Sequence, residues 1–354
     1  MTRPANPPPS PFASILLAAI LPCVALAAEP YRVTLRLPPA GLYAQEESQI
    51  EFRIEDTTRP DPLTGFAPLV RATPQAVIDM PAMPGMPKFT EIAHPEGVPG
   101  DYGIHPTFAH GGEFRLRIAI QPDHTFEFPL TVLDATVHRK SIAPRFTLEL
   151  TTTPKKPKAG EPVDLRFAIR DRDANHAIVP AFEMMHERLI HVIIVRRDLA
   201  HFAHEHPIAQ PDGSFTLRYT FASGGEYRLF ADVAPKSAGA QIVSAPLSVS
   251  GKSIPPPEAT QGLIELITPA QVPAGKTVPI TIRVQDTAGL EPYLGAMGHL
   301  ILIHEDGVTF VHAHPAEGLT FPARFPKPGR YRAWFQFQRA GKVLTAELSF
   351  EASP

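Results

Sequence analysis

Apolar and polar residues alternate with a period of two in short segments of this chain, as in Tyr227, Leu229 and Ala231 against Arg228, Phe230 and Asp232, where Phe230 alone breaks the polar set. Successive side chains of a strand point to opposite faces, so such a segment predicts a strand half buried against a core. Three landmarks built on this pattern recur in a fixed order. The first is a strand ending in aspartate, at residues 51–56, 165–171 and 280–286. The second is a His-Pro pair: His94-Pro95, His206-Pro207 and His314-Pro315. The third is a glycine-led strand beginning at Gly111, Gly224 and Pro328. The set returns roughly every 110 residues, too long for a solenoid repeat and right for an independent domain. Turn residues follow at short intervals, with about seven short strands per unit. The expected fold is therefore all-β, with three tandem immunoglobulin-like antiparallel β-sandwich domains after a signal peptide.

One stretch carries most of the chemistry. Residues 191–207, HVIIVRRDLAHFAHEHP, return at residues 299–315 as HLILIHEDGVTFVHAHP. Each is an apolar run, a polar turn and a second run, which predicts a β-hairpin. Asp306-Gly307 is a strong two-residue turn signal. Centring the turn there pairs Glu305 with Val308, and counting outward sets His299 opposite His314. The earlier copy takes the same register about Asp198-Leu199, where the poorer turn pair favours a slightly longer loop. Opposed residues share a face with Cβ atoms about 5 Å apart, and residues two apart on one strand share it too. His191, His204 and His206 are thus expected on one face, and so are His299, His312 and His314. Imidazole suits zinc, copper, nickel and iron, and three protein nitrogens with an open position form a recurring metal geometry. The same faces carry Ile193, Val195 and Phe202, and Ile301, Ile303 and Phe310, which marks them as core faces. Histidines there also serve as hydrogen-bonded core residues, so that reading stands beside the metal one. His201 and His304 alternate onto the opposite face, where solvent exposure is expected.

Composition then excludes several classes. Of 354 residues, 44% are hydrophobic and 19% charged, as in a globular protein. The formal net charge of −3 gives no reason to expect nucleic acid or an anionic surface as partner. Arg3, an apolar segment over residues 12–25 and small residues at 25–28 predict a signal peptide of residues 1–28. The mature chain is then periplasmic or secreted, with no transmembrane segment. Its units are expected at residues 29–137, 144–250 and 260–354, joined by proline-bearing spacers. Cys23, the single cysteine, falls in the signal segment. This excludes disulfides, thiolate metal sites, a cysteine nucleophile and a blue-copper centre from the mature chain.

The first unit carries Met80-Pro-Ala-Met-Pro-Gly-Met86, then Gly100-Asp-Tyr and Gly111-Gly-Glu-Phe. These motifs resemble the YtkA-like domain, a small exported β-sandwich family associated with metal handling, chiefly of copper, in the bacterial envelope. The second and third units resemble companion domains of the same exported proteins, through residues 191–207 and 293–315. The resemblance implies an envelope metal-binding or metal-tolerance role and no enzymatic activity.

Aligned on His-Pro, the first unit has Asp79 and Ile92 where the second has His191 and His204, and it keeps His94. In exchange it offers Met80, Met83 and Met86. Thioethers are soft ligands that select Cu(I), and the prolines between them place them in a loop. The alternative is adaptable apolar filler. His105 and His110 are candidates to join them, and Met184, Met185, His186 and Met297 are candidates for a fourth ligand beside the trios. The expected function is an exported protein that binds copper, or zinc or another divalent metal, for buffering, delivery or tolerance. An envelope protein partner is left open. One alternative is a structural or adhesive array without metal. The other is a zinc-dependent hydrolase or hydratase, for which Glu205 is the sole acid in range, turned to the other face by alternation.

Overall fold

The computed structural model describes residues 29–62, 65–121, 123–134, 143–236, 238–255, 264–269, 271–285, 287–313, 315 and 318–354. The expected signal peptide and His314 lie outside the described residues. Among the described residues the regular structure is strand, apart from one 3-10 turn at Arg172–Ala174, and the strands form two facing sheets in each of three units. No helix among them is long and apolar enough to cross a membrane.

Each unit repeats one plan. In the second, Phe146–Thr153, Pro162–Asp171, Phe215–Thr220 and Ile208–Ala209 form one sheet, which Ala177–Ile178 joins. The facing sheet runs Phe182–Glu183, Gly225–Pro235, Ile190–Arg196 and Phe202–Glu205, with Gln241–Val249 also paired to Gly225–Pro235. The alternating segments pack inward as their period requires. Val163, Leu165, Phe167 and Ile169 meet Val192, Ile194, Leu229 and Ala231 across the sandwich. The third unit builds the same core from Ile280, Ile282, Leu300, Leu302, Ala333 and Phe335, and the first from Ile50, Phe52, Ile54, Ala76, Ile78 and Leu116.

The hairpins keep the register counted from their turns. Val192 pairs with Glu205 and Val195 with Phe202, while Leu300 pairs with Ala313 and Ile303 with Phe310. The turn itself differs from the two-residue form. Gly307 N–H donates to the His304 carbonyl at 2.9 Å, so the turn spans residues 304–307, with Gly307 at φ +67°. The Asp306 carboxylate accepts from the Val308 and Thr309 amides and holds this wider loop. Leu199 adopts the same left-handed backbone at φ +59°, a conformation that disfavours a leucine, and its side chain is buried.

The histidine-bearing faces are not the cores of their own sandwiches, which corrects the reading from alternation. Ile193, Val195, Leu199 and Phe230 of the second unit pack with Ile301, Ile303 and Trp334 of the third in a separate apolar cluster between the units. Both Ile190–Arg196 and His299–His304 are therefore buried at every position. Two-sided burial accounts for the unbroken apolar runs HVIIV and HLILI. The contacts across this interface are reciprocal. Phe202 stacks on Trp334 at 4.6 Å between ring centroids, and the equivalent Phe310 stacks on the equivalent Phe230 at 4.8 Å. Residue i of one unit meets j of the other and the reverse, as in an isologous dimer, here within one chain. His304 is also buried rather than exposed. Its Nε2 lies 3.2 Å from the Pro328 carbonyl, and its Nδ1 accepts from the Asp306 amide.

The first unit folds back onto both others. Arg53 forms a buried ion pair with Glu183 of the second unit, and Val98 packs with Met185 and Ala234. The Glu47 carboxylate accepts from the Thr277 amide of the third unit at 2.8 Å, and Arg324 donates to the Glu47 carbonyl.

Candidate metal centre

The apolar interface ends in histidines. In the second unit His191 projects from the Ile190–Arg196 strand, His204 from the paired Phe202–Glu205 strand, and His206 follows two residues on. One ring nitrogen from each lies within 4.8 Å of the other two. His191 Nδ1 is 3.0 Å from His204 Nε2 and 3.2 Å from His206 Nε2.

The outer contacts decide what those nitrogens carry. His191 Nε2 lies 3.0 Å from the Met185 carbonyl, which only accepts, so the ring proton is on Nε2 and Nδ1 presents a lone pair. His204 Nδ1 donates to Gln336 Oε1 at 2.6 Å, which turns its Nε2 lone pair toward His191. Gln336 is oriented in turn by Thr345, 3.1 Å from its Nε2. Two lone pairs at this distance repel unless a positive centre lies between them. Metal–nitrogen bonds of about 2.0–2.1 Å at a tetrahedral angle separate their nitrogens by about 3.3 Å, so shifts of a few tenths of an ångström admit an ion. Carbonyl and amide oxygens on the distal nitrogens are the usual support for histidine ligands. Burial, followed by neighbouring imidazoles, holds His191 down to about 2 and His204 to about 3. Burial and then Arg188 hold His206 down to about 4. The rings are neutral at ordinary pH, the form that coordinates.

The third unit repeats the arrangement. His299 Nε2 donates to the Tyr293 carbonyl at 2.9 Å, as His191 does to Met185. His312 Nδ1 is 2.7 Å from Asp232 Oδ2 of the second unit, the counterpart of His204 on Gln336 of the third. His299 Nδ1 and His312 Nε2 are thus the equivalents of the two facing nitrogens. Burial also lowers His299. His314, the expected third member, lies outside the described residues. Asp232 Oδ1 is buried and makes no hydrogen bond among the described residues. Burial pushes this carboxyl up to about 7. A buried carboxylate calls for a cation, and one held by His312 would supply it.

The two sets form one cluster rather than two separate sites. Ring centroids of His191 and His299 are 6.4 Å apart, and those of His204 and His312 6.1 Å. His186 adds a further ring, 5.2 Å from His299 and 6.2 Å from His191, with burial lowering it to about 3. Its position in the third unit is Leu294, on the same left-handed turn, so here the pseudosymmetry breaks. Met185 contributes its carbonyl while its side chain packs against Val98 of the first unit and Ala234, and Met184 is exposed. Asp232 and Gln336 were not legible as site residues. The one trace in the sequence is a charged residue at Asp232 on the face that carries Phe230.

In the first unit the corresponding positions hold no imidazole. Asp79 is bound by Arg115 and Arg117, and Ile92 is exposed. The methionines form successive tight turns, with Met83 N–H donating to the Met80 carbonyl and Met86 N–H to that of Met83. Met80 and Met86 line one cavity of about 330 Å³ with Phe89, Phe108 and Phe114, whereas Met83 is exposed at the tip. Met86 Sδ lies 3.3 Å from His110 Nε2, and His110 Nδ1 donates to the Gly111 carbonyl at 2.7 Å. The thioether therefore faces an imidazole lone pair. His94 packs instead with His105, at 3.2 Å between Nε2 and Nδ1, and with Glu96.

Comparison with known proteins bears on the units one by one. Residues 25–119 match the YtkA-like family, and residues 144–250 and 259–354 match the domain of unknown function DUF8832. No curated protein matches the chain. Among solved structures, the Escherichia coli adhesin FdeC is 13% identical at a TM-score of 0.22, over 92% of this chain and 98% of its own. Invasin, a bacterial integrin-binding protein, is 14% identical at a TM-score of 0.21, over 91% and 60%. Salmonella alpha-2-macroglobulin is 11% identical at 0.23, over 92% of this chain and 23% of its own. Overlaps this loose carry no argument about function. With both histidine-bearing units matched to one family and the first unit to another, the chain belongs to the DUF8832 family and carries a YtkA-like domain ahead of its two DUF8832 copies.

Proposed function

We propose that this is an exported envelope protein that binds a late first-row metal, copper foremost and zinc or another divalent ion next. It holds the metal as cargo in the histidine centre between its second and third units. A softer methionine–histidine site in the first unit, Met86 with His110 and neighbouring Met80, suits Cu(I). With no cysteine in the mature chain, buffering, delivery or tolerance fits better than electron transfer, and binding fits better than catalysis. The observation that carries the reading is the trio of His191, His204 and His206. His191 Nδ1 stands 3.0 Å from His204 Nε2 and 3.2 Å from His206 Nε2, all three nitrogens lie within 4.8 Å of one another, and the distal nitrogens of His191 and His204 are tied to oxygen acceptors.

The test is elemental analysis of protein purified from the envelope, followed by titration of metal-free protein with Cu(II), Zn(II) and Cu(I). Sub-micromolar uptake that His191→Ala reduces, with the β-sheet circular dichroism intact, is the expected result. A wild-type protein that takes up none of these ions leaves the histidines as interface residues of a structural array.

A further inference from the structure

A cavity of about 120 Å³ lies where the first unit meets the third, lined by His94, Glu96 and His105 on one side and by Thr277, His312 and Arg324 on the other. It joins two histidine groups that the sequence keeps far apart. At one wall, His94 Nε2 and His105 Nδ1 stand 3.2 Å apart, with side chains 18% and 15% exposed. At the other wall, the His312 side chain is 2% exposed and belongs to the buried centre. Exposure thus falls along the cavity from the first unit inward.

Resting on the metal reading above, we infer that the His94–His105 pair is a transient metal site through which a late first-row cation reaches the buried centre by way of His312. Two imidazole nitrogens hold such an ion more loosely than three or more, and the cavity leaves its remaining positions to water. A waypoint must bind well enough to be occupied and weakly enough to release. Glu96 stands beside it, 3.5 Å from His94 Nδ1, and supplies an oxygen that attracts the incoming cation. The assignment gives the first unit a second task beside its methionine–histidine site. It is the loading face of a centre built by the other two.

The test uses the whole chain and Cu(II) as the probe. Trp334, the single tryptophan, lies in the apolar cluster beside the centre, so Cu(II) bound there quenches its fluorescence. Stopped-flow mixing follows that quench in wild type, in His94→Ala/His105→Ala and in the milder His105→Asn, each with its fold checked by circular dichroism. The expected result is the same final quench, at least tenfold slower in the double variant and slower in His105→Asn, with one weakly bound Cu(II) lost in equilibrium titration. His176→Asn, at an exposed histidine of the second unit with no part in either group, leaves the rate unchanged. Equal rates in all four proteins overturn the route while leaving the centre standing. No quench and no uptake in wild type overturns the metal reading itself.

Discussion

Phe230→Ala isolates the interface on which the centre depends. Phe230 is 1% exposed and stacks on Phe310 of the third unit, while its neighbours Leu229 and Ala231 face the second sandwich's own core. Removing the ring therefore leaves a void between units and keeps the sandwich core whole. A buried phenylalanine truncated to alanine costs about 3–5 kcal/mol. With a urea m-value of about 2 kcal/mol/M, that lowers the midpoint for separating the units by about 2 M. Trp334 reads the event directly, since it lies on the third unit's side of the same cluster, 1% exposed and stacked on Phe202. In wild type its emission should shift to the red together with the loss of far-ultraviolet β signal. In Phe230→Ala the shift should come first, at lower urea. Phe167→Ala, in the second unit's sandwich core, should instead lower both transitions together. A Phe230→Ala protein whose tryptophan transition stays within about 0.3 M of wild type would refute the packing of the two units through this face.

Further predictions concern the centre itself. His204 has a folded pKa depressed to about 3 by burial, against about 6.5 unfolded, so the unfolded chain binds a proton in between that the folded one refuses. Its stabilising share is present above pH 6.5 and is lost as pH falls toward 3. Urea melts of metal-free protein should show wild type losing about 1.4 kcal/mol per pH unit more than His204→Gln between pH 6 and 4. A matching slope in the two proteins would mean His204 is not held neutral. Asp232→Asn should leave the metal-free protein as stable as wild type, because an amide oxygen already serves His204 in the equivalent place. The same change should weaken metal binding by at least tenfold in competition with a chromogenic chelator. Met86→Leu keeps side-chain volume and should change stability by less than about 1.5 kcal/mol, yet lower Cu(I) affinity at least tenfold without altering Cu(II) uptake. Equal Cu(I) affinity would mark the methionines as packing.

The sequence by itself determined what is local. A hairpin's register follows from where its turn falls, and side chains alternate by the geometry of a strand, so His191, His204 and His206 had to share a face. The repeated landmarks likewise fixed three like units and an all-β fold. What the chain could not disclose was which way each hairpin looks. A strand that is apolar on both faces reads the same whether the histidine side meets its own sandwich or another unit. Only the tertiary structure turned the two histidine faces toward each other and brought Gln336 to His204 across 132 residues and Asp232 to His312 across 80. It also set the first unit's His94 and His105 against the same centre. Such pairings depend on how whole sandwiches dock. Docking is decided by surface shape and apolar area summed over many residues, which no single spacing in the chain records.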